Sequence, residues 1–185
     1  ALSRKVPEYV GRAKVVRNWE KSRQEGDSAA DLVSAYEEVK QALGLTESVE
    51  EMAKSTAVSS MVYANRPGDG SAREQAASCQ RVLGGGANIA IEYATKRYRS
   101  NVINWGMLPF LTSEEDSKTM AVGDYVYVPN VRDQLFSDSD DYKAYVISGG
   151  VKKAEITLHL GHLSDEEKDI IAAGCLINYY ANSKA

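Results

Sequence analysis

Between Asn65 and Ala77 the chain reads Asn-Arg-Pro-Gly-Asp-Gly-Ser-Ala-Arg-Glu-Gln-Ala-Ala, a stretch rich in residue types that handle small anions. Gly68 and Gly70 let the backbone turn its amides toward a ligand. A helix that starts just after them puts partial positive charge at the same spot, where an anionic oxygen is welcome. Arg73 adds a planar donor fork suited to carboxylate or phosphate, and a cation in a helix's first turn is mildly unfavourable unless an anion offsets it. The plainer alternative is that Ser71-Ala-Arg-Glu74 has the spacing of a capping box, which needs no ligand. Nucleotide binding is disfavoured. Arg73 stands where a dinucleotide fingerprint built on Gly68 and Gly70 would need glycine or alanine, and no Gly-Lys-Ser/Thr sequence supplies a P-loop.

Other reactive side chains give weaker signals. Cys79 and Cys175 are the only two cysteines, and neither a zinc site nor an iron-sulfur cluster can be built from them alone. Cys79 is expected to be a buried, inert thiol on the side of Ala76 and Leu83. His159 and His162 lack a third ligand nearby, and Asp138-Ser-Asp-Asp141 lacks the spacing and terminal Glu of a calcium loop, so both read as surface. The 185 residues carry 22 Lys+Arg against 26 Asp+Glu, a net charge of -4. With no basic tract, no nucleic-acid partner is expected. No apolar run approaches the roughly 20 residues of a membrane crossing, and the acidic balance suits a cytoplasmic protein.

The elements around the loop follow from periodicity. Val10, Ala13, Val16 and Trp19, then Ala29 to Leu43, give two amphipathic helices separated near Gly26, with Asp27-Ser28 capping the second and Gly44 ending it. Ala57–Ala64 reads as a strand entering the glycine loop. After it come a helix to Gly84, a strand over 87–91, a helix over 96–105 and a strand over 108–111. This alternation predicts an α/β layout with parallel pairing at its centre. Tyr125–Val128, Tyr142–Ile147 and Ala154–Leu158 predict an antiparallel patch that could close a small barrel. Ser164 and Glu167 predict a capped final helix interrupted at Gly174. The whole is expected to be one α/β domain with a central mixed sheet or small barrel (56–185) and an N-terminal helical arm (1–55).

The motifs together bear a resemblance. Gly68-Asp-Gly-Ser-Ala-Arg-Glu-Gln-Ala-Ala77, then Leu83-Gly-Gly85, then Asn101 followed by Trp105-Gly-Met-Leu-Pro109, resembles in order and spacing the C-terminal swivel domain of the aconitase family. There the loop runs Gly-Glu-Gly-Ser-Ser-Arg-Glu-His-Ala and the later segment ends Gly-(Leu/Val/Met)-Leu-Pro. Ala173-Gly-Cys-Leu176 is similar to the family's terminal signature. The likeness is strong over 60–110, looser to 180 and poor over the first 55, and the tail looks closest to a branch of aconitase-like hydratases. It implies reversible dehydration of a hydroxy di- or tricarboxylic acid. It also implies a [4Fe-4S] cluster, carried by other domains or a partner subunit, that acts as Lewis acid. Ser71 then takes the place of the catalytic serine base, Arg73 that of the arginine binding a substrate carboxylate, and Gly70 and Ala72 line the site with backbone amides.

Some positions depart from the pattern. Ala72 replaces the family's second serine, which puts ordinary citrate specificity in question. Gln75 replaces its His and is expected to sit behind the loop. Arg12 is the counterpart considered for a second substrate arginine. A Thr-Thr-Asp-His-like segment is missing, which is expected if the chain is the C-terminal fragment of a longer multidomain enzyme. The alternatives are the small subunit of a two-chain, isopropylmalate-isomerase-type enzyme and a non-catalytic anion-binding module.

Overall fold

The computed structural model describes residues 2–27 and 29–183. In chain order the elements are α1 (Leu2–Lys5), α2 (Tyr9–Gln24), α3 (Ala30–Leu43), α4 (Val49–Ser55), β1 (Ser60–Ala64), α5 (Arg73–Val82), β2 (Gly85–Ala90), α6 (Lys96–Asn104), β3 (Leu108–Leu111), α7 (Glu114–Ser117), β4 (Tyr125–Tyr127), α8 (Val131–Leu135), β5 (Tyr142–Ser148), β6 (Val151–Leu158), α9 (Asp165–Ala173) and α10 (Leu176–Asn182). The βαβαβ run from β1 to β3 makes a parallel sheet in the order β1-β2-β3, while β4-β5-β6 is antiparallel. One antiparallel bridge joins them among the described residues. Leu111 and His159 exchange both backbone hydrogen bonds, at 2.6 and 2.9 Å. The expected α/β fold is therefore present, as two small sheets, one parallel and one antiparallel, in place of a single mixed sheet, and no barrel closure is formed among the described residues.

Apolar burial explains the layering. Ile89, Phe110, Ala144, Val146, Ile156 and Leu158 from both sheets pack with Ile103 of α6 and Ile170 and Ile171 of α9 in one core. Full burial of each large side chain contributes about 1.5–3 kcal/mol. A second cluster lies on the other face of the antiparallel sheet, where Leu32, Tyr36 and Val39 of α3 and Met52 of α4 meet Ile147. Strand alternation lets β5 serve both clusters, with Tyr142, Ala144 and Val146 on one face and Tyr145 and Ile147 on the other. The helical arm is thus seated on the sheet. Glu20 ties α2 to the segment leading into β1, accepting from the Val58 amide at 2.9 Å, and Arg23 ties α2 to α4 within the arm, donating to the Ala53 carbonyl at 2.8 Å.

Capping follows the sequence in part. Gly44 and Gly174 end α3 and α9 in left-handed geometry, and Ser164 with Glu167 closes a full capping box. The sequence reading missed α4, although Ser48 and Glu51 form the same box there. At α3 the N-cap is Ala29, and the Ser28 of the expected cap lies outside the described residues. No described helix is long and apolar enough to cross a membrane.

Candidate functional site

The glycine loop connects β1 to α5 and has a fixed root and an open tip. At the root, the Asn65 carbonyl accepts from the amides of Ile91 and Glu92 at 3.2 and 3.1 Å, and the Pro67 carbonyl accepts from Ala94 at 2.9 Å. Gly68 is held on two counts. Its φ is +100°, and a Cβ there would come within 2.5 Å of the Tyr98 side chain, so only glycine fits. Its carbonyl accepts from Arg73 Nε at 3.2 Å and from Thr95 Oγ1 at 3.1 Å.

From Asp69 to Ala72 the chain is exposed, and Asp69, Gly70 and Ser71 make no hydrogen bond to another described residue. The capping-box alternative does not form. The N-cap position is taken by Ala72, with φ -86° and ψ 58° and no side-chain cap. Glu74 is engaged elsewhere, accepting from Trp105 Nε1 at 3.1 Å. The hydroxyl of Ser71 and the first-turn amides of α5 therefore face solvent without an internal acceptor, the arrangement in which a helix N-terminus receives an anion. Gly70, Ser71 and Ala72 are consecutive in this exposed tip, and Arg73 opens α5 directly after them.

Behind the loop lies a buried polar ladder that the sequence reading did not find. Gln80 of α5 donates to Asn88 of β2 and, at 3.2 Å, to the Ala87 carbonyl, while Asn88 donates to the Tyr98 hydroxyl at 2.9 Å. Gln80, Asn88 and Tyr98 are each at most 6% exposed, so the ladder ties α5, β2 and α6 together where an unpaired amide would cost about 1–3 kcal/mol. Burial raises the Tyr98 hydroxyl above its ordinary range, partly offset by Asn88, and burial together with Tyr98 raises Tyr93 as well. Both phenols are neutral at physiological pH. The only sequence signal for the ladder is that polar residues fall at helix and strand positions expected to be apolar.

Two expectations are corrected. Gln75 is exposed, and Gln80 takes the place behind the loop. Cys79 is exposed rather than buried, because α5 turns Ala77 and Gln80 inward instead. Arg12 is exposed on α2 and has no hydrogen bond or ion pair to the loop among the described residues. Its neighbour one turn earlier, Tyr9, does approach this region: burial, with Tyr98 and Cys79 nearby, raises its hydroxyl. Two concavities, of about 320 and 410 Å³, lie away from the loop, one beside Tyr127 and Tyr145 and the other beside Asp169 and Tyr179. The loop tip is an exposed surface and lines neither of these concavities.

The family described as the aconitase C-terminal domain matches residues 13–115. The chain belongs to this family. The match covers β1 to β3, the loop and both helices that hold it. It also reaches back through α2, α3 and α4, where the sequence reading found little likeness. It ends before the antiparallel sheet. No curated protein matches the chain. Beyond the matched residues, His159 pairs with Asp141 at 3.1 Å and His162 is exposed. Among the described residues no three potential metal ligands converge.

Proposed function

We propose that this aconitase C-terminal domain is the substrate-binding and base-supplying swivel domain of a hydro-lyase acting on a hydroxy di- or tricarboxylic acid. The observation that carries this reading is the exposed, uncapped start of α5, where Ser71 has no internal partner beside Arg73. Arg73 binds one substrate carboxylate, and the amides around Gly70 and Ala72 turn toward the same anion. Ser71 takes the proton from the carbon next to a carboxylate as the neighbouring hydroxyl departs, and returns it on hydration. A neutral serine is a poor base. Its alkoxide has to be stabilised by the positive end of α5, the free first-turn amides and Arg73.

The family's [4Fe-4S] cluster supplies Lewis acidity toward the leaving hydroxyl. Such a cluster needs three or four thiolates, and two separated cysteines, one exposed on α5 and one between α9 and α10, do not fit it. The cluster belongs, in this reading, to domains or a subunit that cover the loop. A cytoplasmic location is part of the same proposal, on the acidic balance of the chain.

The test is Ser71→Ala in the enzyme assembled with its cluster-bearing part. Loss of a general base lowers kcat by about 10²–10⁴-fold with KM little changed. Near-native turnover would remove Ser71 from the mechanism. A second reading rests on Ala72, where the family's second serine hydroxyl is absent. If the assembled protein binds carboxylates but no hydroxy acid is dehydrated, the domain is a non-catalytic binding module. A separately encoded partner would make it the small subunit of a two-chain enzyme.

A further inference from the structure

A guanidinium can grip a carboxylate side-on, through Nε and one terminal nitrogen, or end-on through both terminal nitrogens. In this chain Nε of Arg73 is already committed to the Gly68 carbonyl. That oxygen also accepts from Thr95 Oγ1, so both of its lone pairs are used. The carbonyl cannot readily turn away, because Gly68 is wedged against Tyr98 and Tyr98 is held by Asn88. Thr95 has a second bond. Its oxygen accepts from the Tyr98 amide at 3.2 Å as the N-cap of α6. A single hydroxyl thus closes one helix and aims the acceptor that orients the first arginine of another. Neither terminal nitrogen of Arg73 has a partner among the described residues. Arg81 and Arg99, by contrast, end on backbone carbonyls.

We propose that Thr95 is a positioning residue which, through the Gly68 carbonyl, holds Arg73 so that it receives the substrate carboxylate end-on, through Nη1 and Nη2. The proposal rests on the reading of this loop as a carboxylate site. A ligand carboxylate then competes with no internal bond of Arg73, and the guanidinium has no need to swing when ligand arrives.

The test is nitrogen-15 NMR of the arginine side chains in the full chain, with citrate as probe. In the wild type the Arg73 Nε–H exchanges slowly before citrate is added. Citrate then moves the Nη signals and leaves Nε in place. Thr95→Ser keeps this behaviour. Thr95→Val speeds Nε–H exchange and weakens citrate binding about tenfold, the worth of roughly one hydrogen bond. Thr95→Asp keeps a cap acceptor for α6 but loses the donor. It separates positioning from capping even if Thr95→Val does not fold. Nε–H exchange unchanged in both variants overturns the role of Thr95, and Nε shifting together with Nη in the wild type overturns the end-on mode. If citrate moves neither signal, end-on binding by the chain on its own is overturned, while Nε–H exchange in the variants still decides whether Thr95 positions Arg73.

Discussion

Helix α5 carries an arginine near each end, and the two are used in opposite ways. At the C-terminal end, Arg81 spends both terminal nitrogens on backbone, donating to the Gly85 carbonyl at 3.1 Å and to the Gly174 carbonyl at 3.3 Å. It staples α5 to the start of β2 and to the end of α9. At the N-terminal end, Arg73 makes one bond through Nε and keeps its fork open. The difference is one of surroundings, since residue type and helix are the same. Carbonyls at a helix C-terminus attract a cation, whereas at an N-terminus the cation and the orphan amides all seek an anion that the chain does not provide. An arginine satisfied internally stabilises the fold, and one left unsatisfied at an amide-rich end is available for a ligand.

The contrast can be broken or sharpened by substitution. The largest effect is expected at the stapled end. Gly106, with φ +68°, sits so close to Gly174 that a Cβ would overlap its carbonyl. Gly106→Ala should cost upward of about 4 kcal/mol, visible as loss of a cooperative thermal transition, because backbone on both sides must move. Gly68→Ala comes next, at roughly 2–4 kcal/mol from a strained φ and the contact with Tyr98. It should abolish citrate binding even where the protein still folds, and retained affinity would mean that the loop root does not set the site. Arg81→Ala should lose about 2 kcal/mol and lower Tm by about 4–8 °C without changing carboxylate affinity. Arg73→Ala should do the reverse, weakening citrate roughly 30-fold at nearly unchanged Tm. Equal loss of stability in the two variants would erase the distinction.

The smallest effect concerns pH. Burial pushes the Tyr36 hydroxyl up to about 12, with Arg23 pulling it down and Glu20 up, and it donates to the Thr56 carbonyl at 2.6 Å. A raised pKa means that the folded state holds its proton more tightly than the unfolded one. The stabilisation is therefore complete below about pH 10 and lost as pH rises toward 12. Denaturation followed from pH 9 to 12 should show this decline, reduced in Tyr36→Phe.

Much of this was readable in advance where the physics is local. Gly44, Gly174 and the Ser164 box were legible because caps depend on residues within one turn, and the strand expected over 108–111 is β3 with the same bounds. The same rule misled at Ser71. There the spacing was right, but Trp105, 31 residues away, claims Glu74. Cys79 was misjudged for a related reason, since α5 buries Gln80, whose amide is matched by Asn88 from the next strand. A hydrophobic stripe cannot reveal a polar pair satisfied only in three dimensions. The loop residues were legible as a set, whereas Thr95 was invisible because its partner is a carbonyl, and every residue type has one.

The bridge between Leu111 and His159 has a consequence for how freely the two halves can change. Among the described residues, two hydrogen bonds are the whole backbone joint between the sheet that carries the loop and the sheet that supports it. The supporting half must present one short edge and an apolar face, and little else about its path is dictated. The family match stops at residue 115, four residues past β3. A lineage could lengthen, shorten or rewrite the antiparallel half while Ser71 and Arg73 remain undisturbed on the other side of the seam.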